Sequence, residues 1–272
     1  MEKEKLSELV ADIKKKKELR ELNDDFVLQY LKDYFKDKKK FSFNKRSKQY
    51  KTAIKEIRGK LRRVYGLFRA EEDLKRREEL IDQLLSGNKK LIPEILKTHS
   101  STRERLDFYP ELYTGIFAIT GKPQSIIDLG CGINPFSFPF MKLKKVEYFA
   151  YDLSEDEIEY LNRFFRFLKI KGKAEILDMF NFSHLPEADV CFMFKMTDVL
   201  DKGKGHKITE KVIKLIPAQF VVVSFPTHTM SGKKMNFPRR KWFELMCKRL
   251  KYEFNLIEFS NELFYAVKKK KN

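Results

Sequence analysis

The stretch Ser125-Ile-Ile-Asp-Leu-Gly-Cys-Gly-Ile-Asn-Pro135 decides the fold of this chain. Ile126, Ile127 and Leu129 make the continuous apolar run expected of a strand buried on both faces of a parallel sheet. Gly130 and Gly132 follow, and glycine at such a strand end lets the chain turn tightly while a ligand approaches the backbone. The stretch departs from the dinucleotide fingerprint Gly-x-Gly-x-x-Gly, which opens a helix onto a pyrophosphate: the third glycine is missing and Pro135 follows at once. A nucleotide-type ligand without a pyrophosphate fits better, and S-adenosylmethionine is the ligand expected.

Outward from this turn, strands and helices alternate. The patterns predict strands over 125–129, 147–151, 174–177, 190–194, 220–224, 254–259 and 263–267, and helices that include 155–168, 209–216 and 239–250. Alternation implies a doubly wound parallel sheet. The last two strands are separated only by Ser260-Asn-Glu, so they form a hairpin whose final strand runs antiparallel, at an edge of the sheet. The fold class expected is therefore α/β, a Rossmann-like seven-stranded sheet with an antiparallel last strand. That is the arrangement of the S-adenosylmethionine-dependent methyltransferases.

Upstream, apolar residues recur at three- and four-residue spacings: Leu6, Leu9, Val10 and Ile13; Phe26, Leu28, Tyr30, Leu31 and Phe35; Ile54, Ile57, Leu61, Val64 and Phe68; Leu80, Ile81, Leu84 and Leu85. They predict an all-helical N-terminal domain over 1–97, with the sheet domain over 98–272. Ser86-Gly-Asn reads as a helix stop, and Lys38-Lys-Lys-Phe-Ser-Phe-Asn-Lys-Arg as a basic connection carrying aromatic residues. Ser101 or Thr102 is expected to cap a helix running through Leu106, Tyr109, Leu112 and Phe117.

Lys and Arg number 57 against 39 Asp and Glu, a net +18 that points to a polyanion such as nucleic acid. The charge is divided: 28 basic against 18 acidic residues over 1–97, 12 against 3 over 201–250, and 6 against 10 over 151–200. Two basic blocks thus flank the nucleotide-type fold. Cys131, Cys191 and Cys247 are too few and too scattered for a disulfide framework or a four-ligand zinc site, so reduced thiols and no metal are expected. No apolar run approaches membrane-span length and Met1-Glu-Lys-Glu-Lys lacks a signal-peptide core, so a cytoplasmic monomer with no membrane partner is expected.

Ligands of doubly wound sheets bind at the carboxyl ends of the strands. Asp152 ends the second strand about 20 residues after the glycines, the distance at which a carboxylate meets ribose hydroxyls. Asp178 ends the third, where a carboxylate accepts from an adenine amine. Lys195 ends the fourth, and a loop with Ser231-Gly-Lys-Lys and Arg239-Arg-Lys follows the fifth, suited to an anionic strand. Phe136, Phe138 and Phe140 read as core before they read as base-stacking residues. None of the cysteines stands where a cytosine-C5 nucleophile would, and Phe194-Lys-Met-Thr replaces the Asn/Asp-Pro-Pro-Tyr/Phe tetrad of exocyclic amine transferases. A ring nitrogen with a free lone pair, such as guanine N7, needs only alignment with the methyl donor.

His99-Ser-Ser-Thr-Arg-Glu-Arg-Leu, Asp128-Leu-Gly-Cys-Gly-Ile-Asn-Pro, Phe194-Lys, Val223-Ser-Phe-Pro-Thr and Asn261-Glu-Leu-Phe-Tyr, in that order, resemble the aminoglycoside-resistance 16S ribosomal RNA methyltransferases that modify guanine N7 in the decoding site. The resemblance covers about residues 95–267. It implies that Arg105 binds the S-adenosylmethionine carboxylate, that Gly130 and Gly132 line the methionine, that Asp152 holds the ribose and that Asp178 faces the adenine. Asp128, Asn134 and Phe194 fall among the cofactor residues of the matched motifs, and Lys195, Ser224 and Glu262 face the substrate as the catalytic set. The basic helical domain is implied to dock on 16S ribosomal RNA of the small ribosomal subunit. One departure is His228, where the resistance enzymes commonly carry arginine, in a loop that is also shorter. Two alternatives stay open: methylation of another RNA, transfer or 23S ribosomal, and a non-catalytic RNA-binding assembly factor with a relict fold.

Overall fold

The computed structural model describes residues 2–20, 22–36, 41–64, 71–179, 182, 184–201, 205–229 and 232–270. Lys38, Lys39, Lys40, Phe68 and Ser231 lie outside them.

The sheet consists of β1 (Ser125–Leu129), β2 (Glu147–Asp152), β3 (Lys171–Ile176), β4 (Ala188–Phe194), β5 (Ala218–Pro226), β6 (Glu253–Glu258) and β7 (Glu262–Lys268), in the order β3-β2-β1-β4-β5-β7-β6. The first five pair in parallel, and β7 runs antiparallel to both β5 and β6. The antiparallel last strand is therefore present but inside the sheet, and β6 takes the edge. Burial explains the insertion: Leu263 to Val267 are all buried, as a strand covered on both faces requires, whereas β6 alternates between exposed and half-buried positions.

The helices are α1 (Glu2–Lys14), α2 (Asp24–Phe35), α3 (Lys48–Val64), α4 (Glu71–Leu85), α5 (Ile92–Lys97), α6 (Ser100–Arg105), α7 (Tyr109–Thr120), α8 (Glu155–Leu168), α9 (Thr197–Leu200), α10 (Lys207–Leu215) and α11 (Lys241–Arg249). Ser101 and Thr102 lie inside α6 rather than capping it; the Thr102 hydroxyl instead donates to the carbonyls of Leu96 (2.5 Å) and His99 (3.1 Å). A 3-10 turn, Leu106–Phe108, then separates α6 from α7, which restarts at Tyr109-Pro110 because proline suits a first helical turn.

Three apolar clusters organise the molecule. One packs α5, α7, α8 and the 3-10 helix Asn134–Met141 on one face of the sheet, and Phe136 belongs to it, as core. A second packs α10 and α11 on the other face. The third joins Leu9, Ile13, Phe26, Val27, Leu31, Ile57 and Leu61 of α1, α2 and α3. Ile81 and Leu84 of α4 belong to the first cluster, so α4 packs with the sheet as well as following the N-terminal helices in the chain.

Arg77 shows how α4 is attached. It is 1% exposed, and donates to Thr98 Oγ1 (2.8 Å), the Thr98 carbonyl (2.9 Å) and Glu157 Oε1 of α8 (2.7 Å). This member of the N-terminal basic block is thus a buried strut and not part of an RNA-facing surface. Among the described residues, no helix is long and apolar enough to cross a membrane, and no group of three or more His, Cys, Asp or Glu is placed to hold a metal ion.

Candidate functional site

Strand register gathers the predicted residues at one edge of the sheet. Leu129 pairs with Tyr151, which sets Gly130 and Gly132 beside Asp152. Both glycines adopt left-handed backbone, φ +61° and +49°, where an L side chain is strained. A Cβ on Gly130 would lie 2.0 Å from Met196 Sδ, and one on Gly132 would lie 3.4 Å from His99 Nε2.

Asp152 braces this turn. Its Oδ2 accepts from the Gly132 N–H (2.8 Å), and its Oδ1 from the N–H groups of Leu153 (2.7 Å) and Ser154 (3.2 Å). Asp128 sits below it, 1% exposed, with Oδ2 accepting from Asn134 Nδ2 (2.9 Å) and the Tyr148 hydroxyl (2.8 Å). Burial pushes the Asp128 carboxyl up to about 6, against the opposing pull of those hydrogen bonds and of the Arg105 charge. The Tyr109 hydroxyl donates to Asn134 Oδ1 (2.9 Å), tying α7 to the same network. Asp128 and Asn134 are both buried and hydrogen-bonded to one another beneath the turn.

The second group surrounds Arg105. Phe194 pairs with Ser224 across β4 and β5, and Ser224 and Pro226 face Phe264 and Glu262 across β5 and β7. Arg105, the last residue of α6, reaches this corner and is 2% exposed. It is gripped by Glu262 through Nε to Oε1 (3.1 Å) and Oε2 (3.0 Å) and through Nη2 to Oε1 (2.8 Å), the fork geometry that makes arginine-carboxylate pairs strong. Its guanidinium also stands 4.8 Å from the centre of the Phe194 ring. The Ser224 hydroxyl donates to Glu262 Oε1 and accepts the Lys195 N–H (2.9 Å). Burial acts to raise the Glu262 pKa, but the Arg105 and Lys195 charges with the Arg105 and Ser224 hydrogen bonds outweigh it and hold the carboxyl below its ordinary value.

Lys195 has left-handed backbone at φ +56°, uncommon for a side-chain-bearing residue and held here by its bond to Ser224. Its Nζ lies 3.5 Å from Glu262 Oε2 and also pairs with Glu104 Oε2. Of the three residues expected to face the substrate, Ser224 and Glu262 are wholly buried and Lys195 alone reaches the surface, with 10% of its side chain exposed. Cys131 and Cys191 are buried with their thiols pushed well up, so neither is poised as a nucleophile.

The helical domain reaches this site through contacts that no local residue pattern announces. Leu22 forms an antiparallel bridge with Ser154, and Asn23 Nδ2 donates to Glu155 Oε1 (2.8 Å). Burial raises the Tyr30 pKa, and the Asp178 charge adds to that rise, which sets α2 beside the expected adenine end. His99 and Met196 stand in quoted motifs without an assigned place, and tertiary contact sets them against the two glycines. Farther out, Lys15, Lys45, Lys51, Lys55, Arg58 and Arg62 line a cleft of about 490 Å³ between α1 and α3, a concentration of charge suited to phosphates.

The site fits S-adenosylmethionine. It offers a turn whose glycines admit close approach, a buried cation for a carboxylate, and carboxylates at the ends of β2 and β3. The buried hydroxyls of Ser100, beside His99, and Thr197, beside Met196, have no hydrogen-bond partner among the described residues.

A family model described as "Ribosomal RNA methyltransferase (FmrO)" matches residues 48–266. A relative from Proteus mirabilis, "16S rRNA (guanine(1405)-N(7))-methyltransferase", is 30% identical over 238 residues, 78% of this chain and 83% of its own length. The crystal structure of the 16S rRNA methyltransferase RmtF in complex with S-adenosyl-L-homocysteine is similar with a TM-score of 0.80 at 22% identity, over 98% of this chain and 99% of that one. The 16S rRNA methylase ArmA is similar with a TM-score of 0.54 at 30% identity, over 70% of this chain and 98% of its own.

Proposed function

The chain belongs to the FmrO family of ribosomal RNA methyltransferases, and from that membership we propose that it transfers the methyl group of S-adenosylmethionine to N7 of a guanine in the decoding site of 16S ribosomal RNA, within the small subunit. The observation that carries the reading is the Arg105–Glu262 pair, which holds one buried cation at the methionine end of the glycine turn while Lys195, on the same carboxylate, faces outward. The relatives named 16S rRNA (guanine(1405)-N(7))-methyltransferases support the choice of base and RNA.

When bound, S-adenosylmethionine supplies an electrophilic methyl group on a sulfonium. Arg105 holds the carboxylate of that cofactor, Gly130 and Gly132 admit its methionine end, Asp152 takes the ribose and Asp178 the adenine. Ser224 and Glu262 act through Arg105 and Lys195, as positioning residues. Guanine N7 presents a lone pair and loses no proton on attack, so the protein has to align the base rather than deprotonate it. The purine gains positive charge as the bond forms. Arg105 and Lys195 are matched by Glu262 and Glu104, so the charge of neither stands unopposed against the developing purine cation.

Incubating the protein with small subunits and labelled S-adenosylmethionine, then cleaving at N7-methylguanine with borohydride and aniline, tests the reading. A single stop in the decoding site is expected. A stop in another RNA, or none, overturns it.

A further inference from the structure

Phe237 is the most exposed large apolar side chain among the described residues, at 84%, and the only aromatic one in the exposed set; Leu245, Leu215 and Ile208 are aliphatic and lie on α11 and α10. A single exposed apolar residue is ordinary on a protein surface. The backbone around Phe237 is not. Arg240 Nη1 donates to the Pro238 carbonyl (2.7 Å), its Nη2 to the Pro226 carbonyl at the end of β5 (3.2 Å), and both contact Met235 Sδ (3.6 and 3.5 Å). The same guanidinium stands 5.3 Å from the centre of the Phe225 ring. On the other side, Met235 N–H donates to the Thr227 carbonyl (2.8 Å). Phe237 is thus bracketed by residues tied to the end of β5, and Pro238 restricts it to extended backbone. The segment is thus anchored at the end of β5, whose Ser224 pairs with Phe194, the last residue of the neighbouring β4 and the one before Lys195, and it leaves the Phe237 ring exposed.

Its surroundings indicate what it meets. Lys233, Lys234, Arg239 and Lys241 are exposed around it, in the segment where 12 basic residues face 3 acidic ones. An apolar partner protein would be poorly matched by such a collar, whereas a nucleic acid offers phosphates to the lysines and a flat π-face to the ring. We infer that Phe237 stacks on a nucleobase of the RNA next to the nucleotide being methylated, so that the loop after β5 secures the RNA by a preorganised ring as well as by charge. A target base that leaves its stack to be methylated gives up a stacking partner, and an exposed ring on the segment anchored at the end of β5 can replace it. The inference rests on the RNA methyltransferase reading above.

The test compares Phe237→Ala, Phe237→Leu, Phe237→Tyr and Phe237→Trp in the full chain, with methylation of small subunits and filter binding to them measured across a salt series. Phe237→Ala and Phe237→Leu are expected to lose about 5- to 150-fold in kcat/KM, the range that base–aromatic stacking spans. Phe237→Tyr and Phe237→Trp restore it. The salt slope of binding stays unchanged in all four, because stacking releases no counterions, while Lys233→Ala lowers it. S-adenosylmethionine affinity by calorimetry does not change. Parental activity in Phe237→Ala, or Phe237→Leu equal to Phe237→Trp, overturns the inference. If the parent itself methylates no small subunit, the functional reading fails separately, and the filter-binding arm still decides the role of Phe237.

Discussion

Glu262→Gln isolates the interaction on which the site depends. The substitution keeps the shape of the side chain and removes the charge facing Arg105, leaving a guanidinium 2% exposed without its counterion. Breaking a buried ion pair from one side costs roughly 3–5 kcal/mol, because the remaining charge stays out of water uncompensated. In a chain of this length each kcal/mol lowers the melting temperature by about 2–4 °C, so a fall on the order of 10 °C is expected by circular dichroism. Arg105→Met leaves the buried Glu262 with only Lys195, 3.5 Å away, to offset its charge, and should cost a similar amount. The double variant removes both charges together, and its cost should fall short of the sum of the single ones by at least about 2 kcal/mol. Calorimetry adds a functional arm: Arg105→Met abolishes S-adenosylmethionine binding, whereas Glu262→Gln keeps a cation in place and weakens it. Single variants that melt within 2 °C of the parent, or costs that simply add, would refute the reasoning.

Other sites give independent tests. Arg77→Met removes the arginine that faces the buried Glu157, so it should destabilise the fold by about 3–5 kcal/mol and expose α4 and α8 to hydrogen exchange; unchanged protection would contradict the strut assigned to it. Asp128, ordinarily near 3.8, titrates at about 6 in the fold, so its protonated form is favoured by folding, and that contribution is complete below about 3.8 and is lost as pH rises through 6. Asp128→Asn should therefore gain on the parent by about 2.5 kcal/mol in urea denaturation between pH 4 and pH 8, and a pH-independent difference would exclude the shift. Asp152→Ala removes the acceptor of three backbone N–H groups around the turn, and calorimetry should show S-adenosylmethionine affinity falling more than about tenfold while small-subunit binding survives; retained affinity would displace Asp152 from the pocket.

The positions of the strands were legible because each carries its own apolar run, and α8 was legible to the residue because Ser154 caps it and its apolar face repeats regularly. The place of β7 was also written in the chain: Leu263-Phe-Tyr-Ala-Val is apolar throughout and suits an interior strand, whereas Glu253-Phe-Asn-Leu-Ile-Glu alternates as an edge does. Reading the hairpin by its turn alone put the wrong member at the edge. Glu262 was harder. An acid at a strand start suggests an exposed, substrate-facing group, and its partner Arg105 lies 157 residues away. The same limit hid Tyr30, Met196 and His99, whose roles exist only when distant segments meet. Charge counting located the basic blocks but not which cations, like Arg77, are spent inside.

The bridge between Leu22 and Ser154 has a thermodynamic consequence. It joins the segment between α1 and α2 to Ser154, whose N–H is held by the Asp152 carboxylate, so one contact belongs to both the helical bundle and the brace of the glycine turn. Any ligand that prefers one geometry of this seam must change the free energy of the other ligand, and linkage makes the two effects equal. A small subunit that tightens cofactor binding through the bridge is itself bound more tightly, by the same factor, once the cofactor is in place. If the helices dock the small subunit as proposed, a preference of that subunit for one geometry of the seam and a preference of the cofactor for the same geometry become one reciprocal effect.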